Sequence, residues 1–225
     1  MFWVFAPITF KHVGGGFVNK KILITGGTGM VGSAFKNIKT KHELILVGSK
    51  DYDLTNHRET KKMLAHHNPN SVIHLAAKVG GVKSNSDYVA DFFHDNIMIN
   101  TNVLQVCKNR RVSKVLSLLS TCIYPDNPIY PLTENQIHNG EPHQSNFGYA
   151  YAKRMLEVQS RAIRSQYGLN YITAVPNNIY GPKDNFDLEN GHVIPAMIRK
   201  FYEAKENNTD VVLWGSGEPL REFTY

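Results

Sequence analysis

Two short stretches of the sequence carry side chains that could move protons. Ser120, Thr121 and Cys122 end an apolar run at positions 114–120, and Tyr149 precedes Lys153 by four residues. Residues four apart lie on one face of a helix. An ammonium beside a phenol favours the phenolate, so the pattern predicts a tyrosine of lowered pKa that donates and accepts protons near a serine hydroxyl. A surface pair at Tyr149 and Lys153, and a small apolar filler at Cys122, are the alternatives.

A third stretch has the pattern of a dinucleotide-binding turn. The run KILIT at positions 21–25 leads directly into a glycine-rich segment, and a helix-like segment follows. At the first strand-to-helix turn, glycines let the backbone approach a pyrophosphate, which the helix N-terminus faces. The segment comprises Gly26, Gly27, Thr28, Gly29, Met30, Val31 and Gly32.

The end of the second predicted strand indicates which dinucleotide would bind. An NAD site usually places a carboxylate there for the ribose 2′-hydroxyl. The strand tip instead carries Ser49 and Lys50, which could bond a 2′-phosphate, and this favours NADPH over NADH. A merely solvated Lys50 is the alternative reading. Asp53 follows and is expected to contact adenine.

Short aliphatic runs alternate with helix-length segments, which predicts the architecture that positions these residues. Strands are predicted at 21–25, 43–47, 71–75, 114–120, 171–175 and 211–214, and helices at 30–38, 58–67, 91–109, 149–167 and 194–205. This order is typical of the α/β class, a doubly wound parallel sheet of the Rossmann type covered on both faces.

The composition shift at Gly181-Pro182 divides the chain into a cofactor part and a substrate part. We expect a poorly ordered extension at 1–20, a dinucleotide-binding domain at 21–180, and at 181–225 only part of a substrate-binding domain.

The charge, the apolar segments and the cysteine content of the chain limit the kinds of partner that it is expected to bind. The formal charge of +6 comes from scattered basic pairs rather than a basic run, so nucleic-acid binding is not expected. The apolar segment at 2–10 is too short to span a bilayer. Cys107 and Cys122 form neither a disulfide framework nor a metal-ligand spacing, which favours a reducing cytoplasm and no metal.

Several longer motifs carry a family resemblance. The glycine turn, Ser120 and the Tyr149–Lys153 pair together resemble the extended short-chain dehydrogenase/reductase family. The segments HLAAKVGGV (74–82), LSTCIYP (119–125), NFGYAYAKRM (146–155), YGPKDNFDLENGHVIPA (180–196) and VVLWGSGEPLREF (211–223) resemble, within it, the GDP-L-fucose synthase family. A member of that family would be expected to continue well beyond Tyr225.

The resemblance implies an NADPH-dependent oxidoreductase with isomerase activity in nucleotide-sugar metabolism. Such an enzyme epimerises GDP-4-keto-6-deoxy-mannose at C3 and C5 and reduces C4 with NADPH. Ser120 and Tyr149 would bond the reacting oxygen, and Lys153 would hold the nicotinamide ribose. Cys122 would be the epimerising base and His192 its partner acid. A GDP-sugar substrate, NADPH/NADP as cofactor and a homodimer are implied too.

The resemblance also suggests further contacts on both sides of the crevice. The cofactor contacts are Leu75, Ala76, Ala77, Pro176, Asn178, Ile179 and His192, and the substrate contacts are Asn177, Lys200, Trp214 and Arg221. His74 is expected to be a hydrogen-bonded core residue rather than a ligand. Another nucleotide-sugar 4-reductase or 4-epimerase, and an NADP-binding fragment of weak activity, are the alternative functions.

Overall fold

Five parallel strands form the frame of the molecule in the computed structural model, which describes residues 19–213, 215–218 and 220–225. Their order is β2-β1-β3-β4-β5, with in-register pairing such as Leu23 to Val72 and Val115 to Tyr171. The strands are β1 (Lys21–Thr25), β2 (Glu43–Val47), β3 (Ser71–His74), β4 (Lys114–Leu118) and β5 (Asn170–Ala174). From β1 the chain first moves to β2, on one side of β1, and then crosses over to β3, on its other side. The strand order therefore reverses between β1 and β3.

Among the residues that the structure describes, six α-helices connect or follow these strands. They are α1 (Met30–Ala34), α2 (His57–His67), α3 (Val82–Asp87), α4 (Val89–Asn109), α5 (Phe147–Tyr167) and α6 (Val193–Asn207). The predicted helix at 30–38 is α1 and a following 3₁₀ turn, Phe35–Asn37, and α3 was not predicted. Asn56 caps α2 by accepting hydrogen bonds from the backbone N–H groups of Arg58 and Glu59.

The main core lies between the sheet and the helices α2, α4 and α5. Leu23, Val72, Val115 and Tyr171 share one face of the sheet and are at most 1% exposed. Met63, Leu64, Val103, Leu104 and Leu156 from the three helices complete this cluster. The apolar run of each strand is therefore explained by burial beneath long helices.

Among the described residues, the opposite face of the sheet is flanked by a much shorter helix. Right-handed crossovers that step in opposite directions along a sheet lie on opposite faces of it. The connection from β1 to β2 steps one way and the later connections up to β5 step the other way, so α1 is the helix that these connections place on this face. Ile22, Ile73, Leu116 and Ile172 on this face are only partly buried. Helices therefore flank both faces of the parallel sheet, which confirms the predicted doubly wound fold, although α1 has five residues where α4 and α5 each have 21.

A second, two-stranded sheet joins the two ends of the C-terminal segment. Strand β6 (Asn178–Ile179) pairs in parallel with β7 (Phe223–Thr224). The strand predicted at 211–214 is wrong for the described residues 211–213, which have no strand partner, and Trp214 lies outside the described residues. The extension predicted at 1–20 also lies outside them up to residue 18.

Candidate functional site

The strand order reverses between β1 and β3, and in sheets of this kind the ligand crevice lies at the carboxyl ends of the strands there, which is where the glycine turn stands. Gly26 has a φ of +68°, and a Cβ at this position would lie 2.8 Å from the backbone nitrogen of Ala76. A Cβ at Gly32 would overlap the carbonyl oxygen of Gly26. These two glycines therefore let α1 and the segment after β3 approach the turn closely.

The remaining residues of the turn are open to the crevice. Thr28 and Gly29 are exposed, whereas Met30 and Val31 are partly buried at the start of α1. Across the crevice, Leu75, Ala76 and Ala77 follow β3 and are partly buried. Because the glycine turn has no side chains at Gly26 and Gly32, its backbone N–H groups are open to the pyrophosphate of a dinucleotide. The predicted cofactor residues on both sides of the crevice therefore fit that group.

The turn after β2 presents a lysine and a serine rather than a carboxylate. Ser49 and Lys50 are both exposed at its tip. The nearest carboxylate, Asp51, is already used within the turn, since its Oδ2 accepts a hydrogen bond of 2.7 Å from the backbone N–H of Gly48. A 2′-phosphate at the tip would therefore meet hydroxyl and ammonium donors, as the sequence predicts for NADP.

Asp53 lies just beyond this turn. Its exposed carboxylate accepts hydrogen bonds from the backbone N–H and the hydroxyl of Thr55, at 2.9 and 2.6 Å. The contact with adenine stays a prediction.

A buried chain of hydrogen bonds runs beneath the crevice from β1 to α5. Thr25 Oγ1 and His74 Nδ1 are 2.8 Å apart, and His74 Nε2 lies 3.1 Å from Asn100 Oδ1. Asn100 Nδ2 donates to the carbonyl of Ala152, at 3.4 Å. Since Asn100 Oδ1 can only accept, Nε2 of His74 carries the proton and Nδ1 accepts from Thr25. The prediction that His74 is a hydrogen-bonded core residue is confirmed, and burial lowers its pKa to about 3.

The serine and the cysteine after β4 are joined in one tight turn. Ser120 precedes the 3₁₀ turn Thr121–Ile123, and its side chain hydrogen-bonds the Cys122 thiol. Burial raises the pKa of Cys122, while the Ser120 hydrogen bond and the charges of Lys153 and Arg154 lower it. The thiol is therefore largely protonated at rest but sits among groups that stabilise its thiolate.

Tyr149 and Lys153 stand on the first turns of α5, facing the end of β4. Lys153 is 3% exposed, its Nζ donates to the carbonyl of Leu118 at 2.7 Å, and it lies 5.7 Å from the centre of the Tyr149 ring. Burial lowers the pKa of Lys153 to about 8, partly offset by Cys122. The predicted residues Ser120, Cys122, Tyr149 and Lys153 are thus brought together by one strand end and one helix.

The predicted lowering of the Tyr149 pKa is wrong for this structure. Burial, followed by the neighbouring Cys122, raises the pKa of the phenol instead. Lys153 does not offset this rise, and its ammonium donates to the carbonyl of Leu118. Tyr149 is consequently a protonated donor at neutral pH in this arrangement.

His192 lies on a separate element, immediately before α6. Its side chain is half exposed, and its Nδ1 is 4.0 Å from Oδ1 of Asp184. Within the described residues, no hydrogen bond or ion pair joins His192 to Ser120, Cys122, Tyr149 or Lys153. The loop before His192 is fixed to α3, because Gly81 N–H donates to Asn190 O at 3.0 Å and Lys83 pairs with Glu189 at 2.9 Å.

The asparagines after β5 hold the chain's last strand. Asn177 Oδ1 accepts from the hydroxyl of Thr224 at 2.6 Å, and Asn178 Nδ2 donates to the carbonyl of Glu222 at 2.9 Å. Both amides therefore contact protein in this structure. The contacts of Asn177 with substrate and of Pro176, Asn178 and Ile179 with cofactor stay predictions.

The substrate contacts predicted for Lys200, Trp214 and Arg221 stay predictions. Lys200 Nζ donates to the carbonyl of Val212 at 3.1 Å, and Arg221 is exposed, with a 3.3 Å bond to its neighbour's carbonyl. Trp214 lies outside the described residues. Neither Lys200 nor Arg221 contacts the Ser120–Cys122 turn through a hydrogen bond or ion pair that joins described residues.

Sequence reasoning missed Arg154, which lies directly behind the cysteine turn. Its guanidinium is 3% exposed and donates to two loop carbonyls, Nε to Ile123 and Nη1 to Gly140, each at 2.7 Å. In the sequence it is one half of a basic pair with Lys153, which is typical of a solvated helix face. No local signal marks it as buried.

In the described part of the chain, no group of three or more histidine, cysteine, aspartate or glutamate side chains is placed to hold a metal ion. No helix between residues 19 and 225, the two omitted positions aside, has both the length and the apolar composition needed to cross a bilayer.

The parallel sheet, the glycine turn and the serine, tyrosine and lysine at its edge define a nucleotide-dependent oxidoreductase or epimerase fold. A model of the NAD dependent epimerase/dehydratase family matches residues 22–225, and the chain belongs to that family.

Particular members of the family resemble the chain over most of its length. It is 47% identical to a GDP-L-fucose synthase from Dictyostelium discoideum, over 92% of this chain and 66% of the relative. It is 45% identical to a probable GDP-L-fucose synthase from Drosophila melanogaster, over 92% and 68%. A crystal structure of a GDP-L-fucose synthetase from Naegleria fowleri bound to NADP superposes with a TM-score of 0.82, at 42% identity, over 92% of this chain and 69% of that one.

These comparisons confirm the resemblance to GDP-L-fucose synthases. The chain spans about two thirds of the length of the curated relatives that it matches.

Proposed function

We propose that the chain catalyses the GDP-L-fucose synthase reaction, in which GDP-4-keto-6-deoxy-mannose is epimerised at C3 and C5 and reduced at C4. The observation that supports this most directly is the hydrogen-bonded pair Ser120–Cys122 at the end of β4, facing Tyr149 and Lys153 on α5. A thiol beside carbonyl-binding hydroxyls suits proton abstraction next to a ketone, which plain ketone reduction does not need.

In the epimerisation, Ser120 and the protonated Tyr149 donate hydrogen bonds to the C4 carbonyl oxygen of the substrate. These bonds stabilise the enolate that forms when Cys122, as thiolate, removes the proton from C3 or C5. A proton returned to the opposite face of the ring inverts the centre, and we assign this step to His192. The carbon keeps the same number of bonds and no redox change occurs.

In the reduction, NADPH supplies a hydride to C4 when bound. Tyr149 gives its proton to the resulting alkoxide oxygen, and Ser120 keeps that oxygen in place. Lys153, protonated below its pKa of about 8, holds the nicotinamide ribose and restores the charge balance beside Tyr149. Gly26 and Gly32 would admit the pyrophosphate to the crevice, and Ser49 and Lys50 would bond the 2′-phosphate.

The test separates the two chemistries in one experiment. The protein is incubated with GDP-4-keto-6-deoxy-mannose and NADPH in deuterated water, and the product is analysed for deuterium at C3 and C5 and for reduction at C4. Formation of GDP-fucose with deuterium at both carbons supports the proposal, whereas a reduced product without exchange identifies a simple 4-reductase.

The Cys122→Ser variant should lose most of the exchange while still reducing the ketone, because Ser120, Tyr149 and Lys153 remain. Cys107→Ala is the matched control, since Cys107 is fully buried in the core between the sheet and the helices. Exchange at the unaltered rate in Cys122→Ser would rule out Cys122 as the base.

We further propose that two copies of the chain form a homodimer through α4 and α5. These adjacent helices leave Phe93, Phe147 and Met155 exposed by 42%, 39% and 41%. Apolar residues at such exposure favour association over solvation. Light scattering should give the dimer mass for the parent chain and the monomer mass for the double variant Phe93→Glu with Met155→Glu. An unchanged mass would exclude this interface.

We infer a cytoplasmic location from thiol chemistry. Both cysteines are free, and the proposed base acts only while it remains a thiol or thiolate. Fractionation of cells that express the chain would test this, and recovery in an oxidising compartment would contradict it.

A further inference from the structure

Arg154 is a buried cation without a carboxylate partner. Its side chain is 3% exposed, and within the described residues it forms no ion pair with an aspartate or glutamate. An isolated buried charge is costly unless hydrogen bonds and an opposite charge compensate it. Something else in its surroundings must therefore justify a guanidinium at this position.

The hydrogen bonds of Arg154 all converge on the loops that shape the cysteine turn. Nε donates to the carbonyl of Ile123, the residue after Cys122, and Nη1 donates to the carbonyl of Gly140, each at 2.7 Å. The guanidinium also lies 5.3 Å from the centre of the Tyr151 ring. Arg154 therefore fixes the backbone on which Cys122 stands.

One nitrogen of the guanidinium has no hydrogen-bond partner among the described residues. This nitrogen is Nη2 of Arg154, which is buried. A buried N–H group that remains unpaired costs free energy, and it is usually explained by a missing or transient acceptor. The Cys122 thiol and the Arg154 guanidinium already influence each other's pKa, each favouring the charged form of the other.

We propose that Arg154 is a positioning residue for the epimerising base: it holds the Cys122 turn and supplies the counter-charge for the thiolate that the base must become. The inference rests on the proposed function only in naming Cys122 as the base. Lys153, whose ammonium donates to Leu118 O, supplies a second positive charge that favours the thiolate. In this arrangement burial keeps the resting thiol protonated, and the two cations lower the free energy needed to deprotonate it during turnover.

The direct test measures the pKa of Cys122 in the full chain by the pH dependence of alkylation with iodoacetamide. Peptide mass spectrometry separates the label on Cys122 from that on Cys107. Removal of a nearby positive charge should raise the pKa of Cys122 by about one unit or more in Arg154→Met, so alkylation below the pKa slows about tenfold. Arg154→Lys, which keeps the charge and loses one of the carbonyl bonds, should shift it less.

Arg164→Met is the matched control, because Arg164 lies on the same helix and also donates to a backbone carbonyl, that of Tyr171, at 3.3 Å. It should leave the alkylation profile unchanged. An identical profile in Arg154→Met and the parent chain would overturn the proposal. A pKa shift as large in Arg164→Met as in Arg154→Met would overturn it as well.

A second measurement decides the matter if Arg154→Met does not fold. Cys122→Asp and Cys122→Asn differ only in charge, and both are placed in the Lys153→Met variant, so that Arg154 is the cation left beside the turn. If Arg154 accepts an anion there, the aspartate variant should melt at a higher temperature than the asparagine variant at pH 8. An equal or lower melting temperature for the aspartate variant would overturn the proposal.

Failure of this inference can be told apart from failure of the proposed function. If Cys122→Ser retains full deuterium exchange, Cys122 is not the base, yet the alkylation profile still reports whether Arg154 stabilises its thiolate. If exchange is lost but Arg154→Met leaves the pKa of Cys122 unchanged, the reaction stands and the role of Arg154 does not.

Discussion

Acidification should lower the free energy of unfolding because the folded chain keeps His74 neutral. His74 is 1% exposed, and its pKa is lowered to about 3 mainly by burial, with the charge of Lys153 acting in the same direction. In the unfolded chain the same imidazole titrates near 6.5. Between these values the unfolded chain binds a proton that the folded chain does not, so the free energy of unfolding falls as the pH falls. This contribution is fully present above pH 6.5.

The size of the effect can be worked out at pH 4.5. Each pH unit below 6.5 costs about 1.4 kcal/mol, so His74 alone removes about 3 kcal/mol of stability at that pH. The figure depends on the pKa in the unfolded chain and is insensitive to the folded value as long as that value lies below about 4. Other groups, chiefly carboxylates, add their own losses, and a comparison of variants must cancel them.

Urea unfolding at pH 7.5 and pH 4.5 makes that comparison. His74→Gln keeps an amide N–H for Asn100 but cannot titrate. We expect this variant to be less stable than the parent chain at pH 7.5, because its bonds to Thr25 and Asn100 are imperfect. On acidification it should lose about 3 kcal/mol less than the parent chain.

His57→Gln is the control, since His57 is exposed and, among the described residues, forms no ion pair with a carboxylate. It should lose as much stability on acidification as the parent chain does. Equal losses for the parent chain and His74→Gln would refute the reasoning, because they would mean that His74 becomes protonated without unfolding.

Three further outcomes are expected. Lys50→Glu should weaken NADPH binding by roughly 1–3 kcal/mol and NADH binding much less, in a fluorescence titration with Lys61→Glu as control; equal losses would remove Lys50 from the 2′-phosphate site. Gly26→Ala should destabilise the fold more than Gly168→Ala in thermal unfolding, because both positions have positive φ but a Cβ meets Ala76 only at Gly26; equal losses would mean that the close approach has no cost. Cys107, whose pKa burial raises to about 12, should resist iodoacetamide at pH 8.5 while Cys122 is labelled, and rapid labelling of both would show that the core opens.

The parts of the fold that repeat a local rule could be predicted from the sequence. The five strands of the main sheet and the long helices were recognisable because continuous apolar runs and helical spacing both reflect burial on a sheet. Helix α3 was missed because VKSNSD has no apolar periodicity, and it packs instead against the loop that ends at Gly191. Residues 211–213 look like a strand, but a strand also needs a partner, and none is in reach among the described residues.

Some features of the candidate site could likewise be predicted from the sequence, and others could not. Ser120, Cys122, Tyr149 and Lys153 could be grouped in advance because strand ends and helix faces follow from spacing. The direction of the Tyr149 pKa shift could not, since it depends on the burial of the phenol in the folded chain. Arg154 could not be found either, because its burial results from loops at Ile123 and Gly140 that fold over it from elsewhere in the chain.

The small sheet of β6 and β7 has a consequence for the order in which the molecule assembles. Its pairing joins positions 178 and 223, with Tyr180 packed edge-on against Phe223 and Tyr225. The partners Asn178 and Phe223 are 45 positions apart, fewer than the 49 between Ile22 and Ser71 or the 56 between Lys114 and Asn170 in the main sheet. Closing the small sheet therefore costs no more chain entropy than closing the main sheet. The two sheets can accordingly form in the same stage of folding, and we expect no intermediate in which only the glycine-turn side of the molecule is ordered.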